Sequence, residues 1–275
     1  MVDTARAAGV RFRIMFGTNL SNRAALRITT MAFLLAGIAA PAKAQFWKKK
    51  DYQKWSAGEC HKILSDSPWA QTYTFSMVQM PNGATQTAIP GRQPLLEIEY
   101  TAIFFSALPV REAQVRLGQI ESHYDKMPPA QKKAFDENAA RYLAVPFPTD
   151  TVVLVNYSTN VEYLVSPLAS AWQLQTTATL ENSAFLFADG KTVRLNRYQP
   201  EMKQPHFFLF FPRQVNGAPT LSDATKSLTL QITSPRLQFS NTFGNGNLTA
   251  QAPSAQNIIF SFNVKKMMFQ GKIAY

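Results

Sequence analysis

A single cysteine, Cys60, among 275 residues excludes any intrachain disulfide, even in an oxidising compartment. Flanked by Glu59 and His61, it is expected to be a buried, small, apolar residue. His61 is a poor partner for a nucleophile, because adjacent helical residues point about 100° apart. A Cys–His pair would need His123 or His206 brought to Cys60 by the fold. The chain also lacks a Gly-x-Ser-x-Gly elbow and a Gly-x-Gly-x-x-Gly loop, so the familiar nucleophile and dinucleotide arrangements have no support. It has no repeat of fixed period and no basic stripe with interleaved stacking aromatics. Nucleic acid is therefore not an expected partner.

What is present begins with an export pattern. Arg6, Arg11, Arg13, Arg23 and Arg27 make a basic leader, residues 28–40 (ITTMAFLLAGIAA) form an apolar core, and Ala42-Lys43-Ala44 supplies a small-x-small cleavage signal. The apolar core falls short of the roughly 18 to 20 residues that cross a bilayer, so residues 1–44 are expected to be a signal peptide cleaved after Ala44. No cysteine follows the cleavage point and no Arg-Arg pair precedes the core, so neither lipoprotein nor twin-arginine signals are indicated. Met15 would serve as a start as well as Met1. The formal net charge of +11 belongs partly to the leader; without it, 22 basic residues stand against 16 acidic ones. Lys48-Lys49-Lys50, with Phe46 and Trp47 before them, reads as a solvated linker rather than a lipid-binding arm.

Residues 45–275 are long enough to bury about 70% of their unfolded surface and are expected to form one mature domain, with any sub-boundary near 174–183. Residues 51–66 have helical spacing, with Trp55, Cys60 and Ile63 inside, and Ser67-Pro68-Trp69-Ala70 starts a short helix or turn around a core tryptophan. Residues 72–80 alternate as a half-buried strand. Residues 95–124 join the most sheet-like run to the clearest amphipathic helix. Along 95–105, Glu97, Glu99 and Thr101 fall on one side, Leu96, Ile98, Tyr100 and Ala102 on the other, and the run is apolar on both sides from Ile103. After Pro109 a stripe of Val110, Ala113, Leu117, Ile120 and Tyr124 faces inward, while Glu112 and Arg116 form an i, i+4 pair on the outer face.

Pro128-Pro129 opens a further helix with Phe135, Ala139 and Tyr142 inside, and residues 150–157 are an apolar strand. Two helices between strands leave room for a parallel return, hence a mixed sheet. A helix over 161–173, broken or started at Pro167, precedes a β-rich remainder. There Asp189-Gly190 marks a tight hairpin and residues 206–211 a strand apolar on both faces. Residues 227–233, 257–264 and 268–274 alternate as strands. Polar loops cover 83–94, 214–219 and 240–256; the last is long enough to suggest mobility or function.

Four segments stand out together: ECHKILSDSPWA at 59–70, SALPVREA at 106–113, FFPR at 210–213 leading to Gly217, and VKKMMFQGK at 264–272. They resemble a family of uncharacterised exported proteins of soil bacteria. The resemblance implies export and supplies no reaction, cofactor or binding residue.

The expected class is α+β, a helical and mixed-sheet first part followed by an antiparallel, β-rich second part. The leading functional expectation is an exported, non-enzymatic binding or interaction protein of the bacterial envelope, periplasmic or extracellular, whose partner is an envelope component or another protein. No cofactor or metal is expected. Glu121, His123 and Asp125 alternate and would converge only if their helix ended early. The alternative is an exported hydrolase using Glu97 and Glu99, about 7 Å apart along one strand face. Arg111 sits against the helix dipole in a first turn and calls for a partner: Glu112, Glu97 or a ligand anion.

Overall fold

The computed structural model describes residues 45–79, 85–87, 96–144, 147–237 and 255–275. A 3₁₀ turn at Phe46–Lys48 opens the described chain and another at Tyr52–Lys54 follows. Helix α1 (Ala57–Ser65) then starts at a capping box: the Glu59 amide donates to Ser56 Oγ at 3.2 Å, and the Ser56 amide donates to Glu59 Oε2 at 2.7 Å. The segment before α1 is not the solvated linker that its three lysines suggested. Trp47 is buried, Phe46 packs edge-on to Trp47 and Trp55, and the Trp55 indole N–H donates to the Lys50 carbonyl at 3.0 Å. Two large aromatics outweigh three charges whose stems can reach water from a packed backbone.

Strand β1 (Ala70–Gln79) follows a turn at Ser67, where Trp69 is fully buried and its N–H donates to the Ala274 carbonyl. β2 (Thr85–Thr87) and β3 (Leu96–Phe104) complete the first strands. The rest of the 83–94 loop lies outside the described residues, as does nearly all of 240–256. In β3 the expected alternation holds. Leu96, Ile98, Tyr100 and Ala102 are buried, Glu97 and Thr101 are half-buried, Glu99 is exposed, and Ile103 and Phe104 are both buried.

Helix α2 (Leu108–Glu121) begins with Pro in its first turn, and α3 (Pro129–Leu143) runs after a short 3₁₀ turn. Strand β4 (Asp150–Thr159) then pairs with β3 antiparallel, Phe104 opposite Val153 and Ile98 opposite Thr159. This corrects the parallel return expected from two intervening helices. Helices of 14 and 15 residues each span about 21 Å, so the second undoes the travel of the first and delivers the chain to the end it left.

Beyond β4 come α4 (Glu162–Gln173), α5 (Thr177–Leu180), β5 (Ala184–Ala188), β6 (Lys191–Arg194), β7 (Arg197–Pro200) and β8 (His206–Pro212). A small hairpin of β9 (Gln214–Val215) and β10 (Ala218–Pro219) leads to β11 (Leu228–Thr233) and β12 (Asn257–Phe262). Asp189 and Gly190 both have positive φ, as the β5–β6 turn requires. Residues 268–274 form a hairpin, β13 (Met268–Phe269) and β14 (Lys272–Ile273), rather than one strand. Its turn is Gln270-Gly271, at φ 49° and 78°.

The main sheet has the order β2-β1-β3-β4-β8-β7 and the second β12-β11-β5-β6, and every pairing among the described strands is antiparallel. The chain is thus α+β, with most helix in its first part and most strand in its second. One face of the main sheet packs on the second sheet, where Phe262 meets Phe104 edge-on at 4.7 Å, and on α4, where Trp172 stacks on Phe207 at 4.3 Å. On the other face, Phe105 joins Phe208 of β8 to Tyr142 of α3, while the end bearing Glu97 and Glu99 stays open. Gln45–Tyr275 form one compact unit, and β7 and β8 return to the first sheet from beyond residues 174–183. Among the described residues no helix is long and apolar enough to cross a membrane.

Candidate functional site

Helix α2 carries two buried charges at adjacent positions, Arg111 at 6% and Glu112 at 8% exposure. They point to different neighbours. Arg111 Nε donates to the Ser106 carbonyl at 3.1 Å, and its Nη1 donates to the carbonyls of Tyr142, Leu143 and Ala144 at 2.9, 2.9 and 3.1 Å. These last three are carbonyls at the C-terminal end of α3, which otherwise lack intrahelical partners. The cation therefore opposes one helix dipole and complements another. Its hydrogen-bond partners are backbone carbonyls rather than Glu97, with Glu112 attracting it without a hydrogen bond, and it locks α3 to the turn after β3.

Glu112 faces a groove of about 640 Å³ lined by residues 47–52, Glu112 and residues 268–271. The aromatic series Trp47, Trp69 and Phe269, each pair edge-on at 5.7 to 6.3 Å, joins the two segments that wall it. Lys50 is anchored to Glu59 at 2.6 Å, and Asp51 Oδ1 accepts the Gln53 amide at 2.8 Å. Lys48 and Lys49 are exposed at the rim. Burial drives the Glu112 carboxyl up from its ordinary value to about 7; Asp51 adds to the rise and Arg111 opposes it. The Trp47 indole N–H is buried without an acceptor among the described residues. A second cavity, between the sheets beside Tyr73 and Tyr100, has only about 10 Å³, room for a single water.

Pattern reading placed Glu112 on an outer helix face paired with Arg116; the structure overturns both parts. Arg116 Nε donates to the Trp55 carbonyl at 3.0 Å and its Nη1 to Gln119 Oε1 at 3.1 Å. Helix α2 is covered on two sides, so Glu112, Val115 and Gln119 form a second buried stripe at i, i+3 and i+7. The signal available in the sequence was Phe46-Trp47, since large aromatics are out of place in a solvated linker.

The other candidates are scattered. Glu97 and Glu99 lie on the open sheet face opposite Ser76 and Thr74 of β1, with Ser158 of β4 beside Glu99. The Glu97 amide donates to Asn160 Oδ1 at 2.7 Å, and neither carboxylate lines the groove. Five residue steps of extended strand, about 17 Å, carry the chain from Glu99 to Phe104 before the turn at Ser106, whose carbonyl Arg111 holds. The three residues are not brought together. Cys60 is fully buried and its thiol is pushed up to about 11, which removes the thiolate a nucleophile needs. Glu121, His123 and Asp125 are exposed around a left-handed His123 at φ 52°. Among the described residues no three His, Cys, Asp or Glu are grouped to hold a metal ion.

No protein-family model, no curated protein and no solved structure matches this chain.

Proposed function

We propose that this chain is an exported binding protein of the bacterial envelope, and that it binds through the groove over Glu112. The observation that carries the reading is the groove's construction. Its volume falls in the roughly 300 to 1,000 Å³ of small-ligand sites, and it combines an apolar wall of Trp47, Met268 and Phe269 with one deeply buried acid and a basic rim. Among the described residues its lining contains no serine, cysteine or histidine. Export rests on the leader pattern of residues 1–44, and N-terminal sequencing of the protein recovered from a periplasmic extract should begin at Gln45. For binding, immobilised residues 45–275 would be exposed to an envelope extract beside the Lys48→Glu/Lys49→Glu variant. A molecule retained by the first and not the second is expected; identical retention by both would sink the reading.

One observation favours a second reading. Asp51 raises the Glu112 carboxyl, and a pair of neighbouring carboxyls is the usual equipment of hydrolases. Carboxylate hydrolysis thus has a better address at Asp51 and Glu112 than at Glu97 and Glu99. Turnover of an ester or glycoside panel that Asp51→Asn and Glu112→Gln both abolish would replace binding by hydrolysis.

A further inference from the structure

We propose that the groove takes an organic anion, a carboxylate or phosphate on an apolar body, with Lys48 and Lys49 at the rim facing its charge and the buried Glu112 side chain hydrogen-bonded to it. This rests on the binding reading above and names its ligand class. The count of free donors and acceptors decides the charge. Lys48 and Lys49 stand at the rim with no side-chain hydrogen bond or ion pair among the described residues, and the Trp47 N–H is buried without an acceptor. Of the acceptors, Asp51 is exposed, its Oδ1 receiving the Gln53 amide and its second oxygen left to water. Glu112 has no hydrogen-bond partner among the described residues and lies buried between the two walls. An anionic ligand therefore meets two cations at the rim and gives Glu112, buried without a partner, the hydrogen bond it otherwise lacks, and a buried polar group without a partner is costly.

Burial sets the protonation of Glu112, with Asp51 raising its carboxyl and Arg111 lowering it. From the 47–52 wall come Lys48, Lys49, Lys50, Asp51 and Tyr52, with Lys50 held by Glu59; from its own helix comes Arg111; the 268–271 wall brings no charged side chain. Near neutrality Glu112 is divided between both forms. An incoming anion repels the carboxylate and draws its proton back, so affinity falls as pH rises.

Titration calorimetry on residues 45–275 with octanoate, octyl phosphate and octylammonium tests this, alongside sedimentation with phosphatidylglycerol vesicles. The anionic amphiphiles should bind, and octanoate, ionised at both values, about tenfold more weakly at pH 8 than at pH 6. Lys48→Glu/Lys49→Glu should weaken them at both pH values while thermal unfolding stays unchanged, and Glu112→Gln, which keeps a donor, should bind octanoate with no pH dependence. Binding to vesicles as well would identify a lipid headgroup, and to octyl phosphate alone a free anion; both support the proposal. Octylammonium binding as tightly as octanoate overturns the ligand class while leaving groove binding intact. If no probe of either charge binds, the anion inference falls, and the binding reading is decided by the envelope retention comparison.

Discussion

Replacing Glu112 by glutamine should stabilise the protein at pH 8 and leave it nearly unchanged at pH 5. In the native state the carboxyl holds its proton up to about pH 7, whereas an unfolded glutamate releases it near 4.5. Between those values the native state binds more protons, so stability is full below pH 4.5 and is lost as pH rises through 7. The whole interval corresponds to about 3 kcal/mol; water admitted by the groove screens the charge, and about 1 to 3 kcal/mol is expected. For a domain of this size that amounts to about 3 to 10 °C in Tm. Wild type and Glu112→Gln would be compared by urea and thermal unfolding at pH 5 and pH 8. The comparison must be a difference, because burial pulls His206 down and makes its own contribution of opposite sign, lost as pH falls below 6.5 toward the lowered native value. Asp51→Asn should shrink the effect, since Asp51 is part of its cause. A Glu112→Gln gain equal at both pH values would refute the argument, because it would mean that the side chain's shape, not its charge, sets the stability.

Arg111→Met should cost about 2 to 4 kcal/mol in urea unfolding, because it strips charge-assisted bonds from the end of α3; a loss below 1 kcal/mol would show that water replaces the guanidinium. Iodoacetamide at pH 8 should label Cys60 about 100-fold more slowly in the folded protein than in urea, given its raised thiol. Comparable rates would mean that Cys60 is not shut inside the core. Glu97→Gln and Glu99→Gln should each change stability by less than about 0.5 kcal/mol, as surface substitutions do, and should leave groove binding intact; a loss of binding would return attention to that sheet face.

The features read correctly from the sequence share one property: their cause lies within a dozen residues. The passage of β3 from wet at Glu99 to dry at Ile103 is written in alternation, and the β5–β6 turn in Asp189-Gly190, because in both the backbone period or φ requirement is local. The parallel return failed because strand direction depends on how far two helices travel, which periodicity does not record. The groove failed for a stronger version of the same reason. A helical stripe states which face of α2 meets its nearest neighbours, but Glu112 is enclosed by chain from about 60 residues before it and 160 after it, carried by Trp47 and Phe269. Arg111 makes the point in reverse: the anomaly was visible as a cation in a first turn, yet its resolution is the far end of a different helix. A local rule broken at Arg111 thus marked a residue in an unusual environment while misnaming its hydrogen-bond partners. The physical reason is that α2 is covered on two sides, and burying a charged pair there is tolerable only because Arg111 finds four carbonyls and Glu112 can take up a proton.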